Sequence, residues 1–173
     1  MRQSSVAGRF RNIVIGAVTI VAPTLLLAPP GHAHAGVGAS ASGSAHMTVN
    51  GELATFTFSV RELPSGEVVG QAQRVNRAND SVLHYDLDCL RIVGDNKAVV
   101  GGTLTHYSNP AFAPGRHVVF SVIDNGESKG DAPDQLSAVA LFVAVDDPRN
   151  CSNWDVPARS VRDIENGNIQ VSP

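Results

Sequence analysis

Apolar and polar residues alternate one by one along much of this chain. From Glu52 to Glu62, Ala54, Phe56, Phe58 and Val60 fall on one side and Thr55, Thr57 and Ser59 on the other. A period of two is the pattern of a strand with one face buried and one face wet. Three more candidate strands follow, Val68 to Asn76, Ser81 to Val93 and Ala98 to Tyr107. Turn-forming residues separate them, Pro64-Ser65-Gly66, Arg77 to Asp80 and Gly94-Asp95-Asn96-Lys97. The stretch His117 to Val145 reads as two apolar strands joined by an acidic loop with glycines. Short strands at His46 to Val49 and Asn168 to Val171 bring the expected count to about eight. No segment keeps a helical period over three turns. The pattern therefore predicts an all-β fold, an antiparallel meander of about eight strands forming a small β-barrel. A two-layer β-sandwich is the alternative, and short connections in chain order favour the barrel.

Register follows from the same pattern, because a slip of one residue exchanges the two faces of a strand. Pairing Val93 with Ala98 sets Leu87 opposite Leu104, Tyr85 opposite His106 and Cys89 opposite Gly102. Leu83, Tyr85, Leu87 and Cys89 then face inward, with His106 beside Tyr85. His84, Asp86, Asp88, Thr103 and Thr105 collect on the outer face. Val118, Phe120 and Val122 are expected inside, with Phe120 near Gly102 and His117 outside. The strand from Leu136 to Val145 is apolar on both faces; a central place in a sandwich or cover by the 146–166 tail accounts for that better than an exposed binding surface.

The first 35 residues do not fit this pattern. Arg2, Arg9 and Arg11 precede an apolar run from Ile13 to Ala28, and Ala33-His34-Ala35 offers small residues before Gly36. That is the layout of a secretory signal peptide. The run of 16 residues is short for a membrane span, which needs about 20. Residues 1–35 are thus expected to be a signal peptide, 36–45 a flexible small-residue leader, and 46–173 a single all-β domain. Export implies a secreted, extracellular protein with no transmembrane span after processing.

Composition narrows the partners. The expected signal peptide holds three of the 13 basic residues and none of the 16 acidic ones, leaving ten against sixteen, a formal charge of −6. That balance disfavours nucleic acid, which needs basic patches. Two cysteines remain, Cys89 and Cys151. In an exported chain an even count points to a disulfide. Their separation lacks the paired ligand spacing of a zinc site.

The loop Asp124-Asn125-Gly126-Glu127-Ser128-Lys129-Gly130-Asp131-Ala132-Pro133-Asp134 gathers four carboxylates and an amide. Asp124, Asn125, Glu127, Asp131 and Asp134 could offer oxygens to calcium. A plain hydrated hairpin loop, with Asn125-Gly126 at the turn, competes with that reading. His84-x-Asp86-x-Asp88 lines one strand face, but same-face neighbours stand about 6.7 Å apart, too far to close readily on one ion. No catalytic residue can be named, since nucleophile-elbow, zinc-protease and phosphate-loop motifs are all missing from the sequence.

Several short motifs occur together in order: Cys89-Leu90-x-Ile92-x-Gly94, Ala98-x-Val100-x-Gly102, Asp124-Asn125-Gly126-Glu127 with later Asp131 and Asp134, and Gly167-Asn168-Ile169-Gln170-Val171. Together they resemble a group of uncharacterised secreted bacterial all-β domains that end in a G-N-I-Q-[IV]-H-like motif. Those domains carry a D-N-G-E-P-like turn; here Ser128 stands where proline is usual, and Ser172 where histidine is usual. The resemblance implies export and an all-β domain, and it carries no activity. Two function classes follow. The first is a non-catalytic extracellular binding or envelope-associated domain, without a cofactor unless calcium, meeting a small ligand or a cell-surface partner. The second is a small barrel enzyme with a cavity site near His106 and Tyr85.

Overall fold

The computed structural model describes residues 38–49, 51–108, 115–127, 130–141 and 149–173. The expected signal peptide, Ser128, Lys129 and residues 142–148 lie outside the described residues. The fold is all-β, with one short 3₁₀ turn among the described residues, Ala158–Ser160.

Among the described residues ten strands form one curled antiparallel sheet with a barrel-like shape. In chain order they are β1 Ser40–Val49, β2 Glu52–Glu62, β3 Val68–Asn76, β4 Ser81–Val93 and β5 Lys97–Tyr107. Then come β6 His117–Ile123, β7 Gln135–Ser137, β8 Ala140–Leu141, β9 Val161–Asp163 and β10 Asn166–Ser172. Neighbours run in sequence from β1 to β7; β10 pairs with β1, β9 with β7, and β8 with β6. The sheet therefore meanders as its hydrophobic alternation requires. The 36–45 leader needs correction at its second half: residues 40–45 belong to β1, which pairs with both β2 and β10. Small residues there do structural work, since a Cβ at Gly43 would press on the Ile169 backbone at 3.0 Å. The expected long strand from Leu136 to Val145 is also broken. Ala138 and Val139 interrupt it between β7 and β8, and the Ser121 N–H goes instead to the Ser137 hydroxyl, 2.8 Å away.

The interior is packed by Phe56, Phe58, Tyr85, Leu104, Phe120 and Ile169, all buried. Phe120 meets Phe56 and Phe58 edge-on, with ring centroids 5.0 and 5.5 Å apart. Each such pair adds about 1 kcal/mol beyond the area it buries. Val118, Phe120 and Val122 face inward as their alternation indicates.

The β4–β5 ladder departs from the expected register. Val93 pairs with Lys97, Cys89 with Gly101, Leu87 with Gly102, Tyr85 with Leu104 and His84 with His106. The ladder starts one residue off at the turn, and two irregularities follow, one leaving Asp88 unpaired on β4 and one leaving Thr105 unpaired on β5. A β-bulge inserts one residue and so reverses the faces beyond it. Past Asp88, Leu90 and Ile92 join the interior, while Cys89 and Val93 turn to the outside. Phe120 accordingly pairs with Val100, and Gly102 with Val118.

Those outward residues found a second, smaller core. Val99 and Val119 are covered there by Cys151 and Val156, with Cys89, Val93 and Trp154 around them. A disulfide joins Cys89 to Cys151, 62 positions apart, with Cα atoms at 5.9 Å. Gly101 leaves room for it, because a Cβ there would lie 3.2 Å from that of Cys151. Arg91 clasps the same segment, its Nε donating to the Cys151 carbonyl at 2.7 Å and a terminal nitrogen to the Trp154 carbonyl at 3.3 Å. Lys97 pairs with Asp155 at 2.8 Å, and the Ser121 hydroxyl donates to the same carboxylate at 3.1 Å. Burial alone would raise the Asp155 carboxyl, but Lys97, Ser121 and Arg91 together hold it below its ordinary value. The tail thus covers the outer face of β5 and β6, as their apolar residues demand.

Candidate functional site

Three places on this fold gather polar side chains: the acidic loop, one end of the interior, and the outer face of β4–β5. The acidic loop follows β6 and faces β10. One edge of β10 is paired with β1; its other edge would leave backbone N–H groups unpaired. Asp134 and Asp124 meet that need. Asp134 Oδ2 accepts the N–H of Ile169 at 2.7 Å, and Asp124 Oδ2 accepts that of Val171 at 3.0 Å. Their other oxygens shape the loop itself: Asp134 Oδ1 accepts from the Asn125 N–H and Asp124 Oδ1 from the Gly126 N–H, each at 2.9 Å. The Asn125 amide donates to the Pro133 carbonyl at 2.6 Å. Glu127 Oε1 accepts from the amides of Asn168 and Gln170 at 3.0 and 2.9 Å. Hydrogen bonds from Gln170 first, then Asn168, lower the Glu127 pKa. Asp131 places its carboxylate against Gly126, at 2.8 Å from where a Cβ would stand.

The five residues read as calcium ligands are therefore arranged differently. Asp124, Glu127 and Asp134 point their oxygens at protein donors, and Asp134 is 6 % exposed with both oxygens occupied. Among the described residues no group of three or more His, Cys, Asp or Glu is placed to hold a metal ion. The arrangement is a seam, in which carboxylates stand in for the carbonyls of a missing neighbour strand.

The second place is the interior beside β3. Arg74 opposes Phe56 on β2 and Leu83 on β4, so its side chain shares their inward face. It lines a cleft of about 50 Å³ with Met47, Val49, Phe56, Leu136 and Val139. Among the described residues the Arg74 side chain has neither a hydrogen bond nor a carboxylate partner. Tyr85 lies within its electrostatic reach and is 1 % exposed. Among the described residues its hydroxyl has no hydrogen-bond partner, and burial drives its pKa far above the ordinary phenol value, an effect Arg74 partly opposes. A lone buried hydroxyl and a half-buried guanidinium without a counter-ion are both costly arrangements.

The expected meeting of Tyr85 and His106 does not occur. Thr105 bulges out of the ladder, so His106 turns to the exposed outer face while Tyr85 stays inside. There His106 packs beside His84, the ring centroids 5.6 Å apart. His84, Asp86 and Asp88 are exposed as anticipated. Arg74 was missed from sequence because the alternation of β3 is masked by Gln71, Gln73 and Arg74 together; its pairing with Phe56 reveals it.

No protein-family model, no curated protein and no solved structure matches this chain.

Proposed function

We propose that this chain is an exported, disulfide-linked, non-catalytic binding domain, and that its ligand is a small amphipathic anion held at Arg74. The observation behind this reading is the inward guanidinium of Arg74, which lacks a counter-charge among the described residues and faces apolar walls. A carboxylate head would supply the missing charge through two parallel hydrogen bonds. An apolar body would continue along Met47, Val49 and Val139. The cleft is small, about 50 Å³, room for a few water-sized atoms and not for a substrate chamber. His106, which the enzyme reading placed beside Tyr85, lies on the opposite face of the sheet.

The test is calorimetric titration of the mature protein with short-chain alkyl carboxylates and with alcohols of equal length. Carboxylates are expected to bind, alcohols at least tenfold more weakly, and Arg74→Met to abolish the difference. Equal affinity for both series, or unchanged binding by Arg74→Met, contradicts the reading.

A further inference from the structure

The pairing of His84 with His106 offers a different kind of site. We propose that these two imidazoles form a bidentate site for a late divalent transition-metal ion, copper or zinc, on the outer face of β4–β5. The bulge at Thr105 creates the pair. Without it His106 would fall on the inward face; with it His106 sits directly across from His84 on the exposed one. The irregularity is held in place locally, because the Thr105 hydroxyl donates to the His84 carbonyl at 3.2 Å.

The spacing suits a chelate. With metal–nitrogen bonds of about 2.05 Å, two imidazoles on one tetrahedral ion have centroids about 5 Å apart. The observed separation is 5.6 Å with the rings inclined at 52°, slightly wider than that spacing. Both rings are exposed, and the ladder sets them side by side on the solvent face. Gln73 opposes His84 from β3 and presents a neutral amide to the same face. Asp86 lies two residues along the strand from His84, about 6.7 Å away, which leaves the remaining positions on the ion to water. Imidazole nitrogens suit copper and zinc, and copper(II) is the tighter binder of the two.

The experiment is titration of untagged mature protein with copper(II) and with zinc(II), followed by calorimetry and, for copper, by electron paramagnetic resonance. One ion per chain is expected, with nitrogen hyperfine structure from two imidazoles. His84→Ala and His106→Ala should each weaken binding at least tenfold, and His46→Ala and His117→Ala should leave it unchanged. Because both imidazoles are exposed, the variants keep the fold, which circular dichroism checks. Undiminished affinity in both His84→Ala and His106→Ala, or loss of affinity in His117→Ala instead, would overturn the assignment. The anion site at Arg74 is independent of this outcome, since Arg74→Met should leave copper binding intact.

Discussion

The Asp134 carboxylate accepts the backbone N–H of Ile169 at 2.7 Å, bridging 35 positions of chain. With Asp124 on Val171, it closes the gap between the β6–β7 loop and β10 where no ladder forms. A charged acceptor on a backbone N–H is a strong hydrogen bond, and the cooperating amides of Asn168 and Gln170 tie Glu127 to the same strand. The acidic loop and the closing Gly167-Asn168-Ile169-Gln170-Val171 segment are thus two halves of one device.

Because those oxygens already have protein donors, chelator should leave the melting temperature unchanged at matched ionic strength. A calcium site at hundredfold saturation would contribute about 2.7 kcal/mol, several degrees for a domain of this size. Thermal melts with calcium and with chelator decide it; a shift of that size abolished by Asp131→Ala would restore the calcium reading.

The disulfide fastens the outer segment to β4. Closing a loop of about 60 residues stabilises by roughly 4 kcal/mol on the chain-entropy model. The Cys89→Ala/Cys151→Ala variant should lose stability of that order in denaturant melts. It should also expose Trp154, which packs beside the bridge, seen as a red-shifted emission. An unchanged midpoint would show that the outer layer is held by Arg91 and Lys97 alone.

The two faces of the sheet should respond differently to substitution. Phe120→Ala opens the interior and should cost about 3–5 kcal/mol. His106→Ala, on the exposed face, should stay within about 0.5 kcal/mol. Similar denaturation midpoints for the two variants would contradict the bulged register at Thr105.

Acid should loosen the molecule at two points. Glu127 and Asp155 both have folded pKa values below the ordinary 4.5 and 3.8. A lowered carboxylate stabilises the fold above its unfolded value, and that contribution fades as pH falls through the folded one. The melting temperature should therefore be level from neutral pH to about pH 5 and decline below it. Glu127→Gln should lessen the decline; a curve level to pH 3 would show that neither pairing matters.

Much of the fold was legible because alternation is a strong signal. Val68–Asn76 and Ser81–Val93 emerge with the ends their turn residues indicate. The inward face of β6 was legible from the large Phe120 flanked by Val118 and Val122. Bulges were not legible, because an unpaired Thr105 or Asp88 looks like any polar residue on a polar face. Each shifts the register by one, which moved His106 and Cys89 to the outside. The loop chemistry was half legible: its carboxylates were conspicuous, but their partners are backbone N–H groups, which every sequence contains and none advertises. Residues 40–45 were misread because Gly43 and Ala45 look like linker yet are needed for close strand approach.

Amide hydrogen exchange at Ile169 and Val171 tests the seam most directly, read residue by residue by nuclear magnetic resonance. In the unaltered protein both amides should be strongly protected, although neither N–H faces a paired strand. Asp134→Ala removes the Ile169 acceptor and should cost about 2–3 kcal/mol, speeding exchange at Ile169 well beyond the change at Gly43 across the β1–β10 ladder. Asp124→Ala should do the same at Val171. Unchanged protection of Ile169 in Asp134→Ala, at undiminished global stability, would contradict the closure of this sheet by its carboxylates.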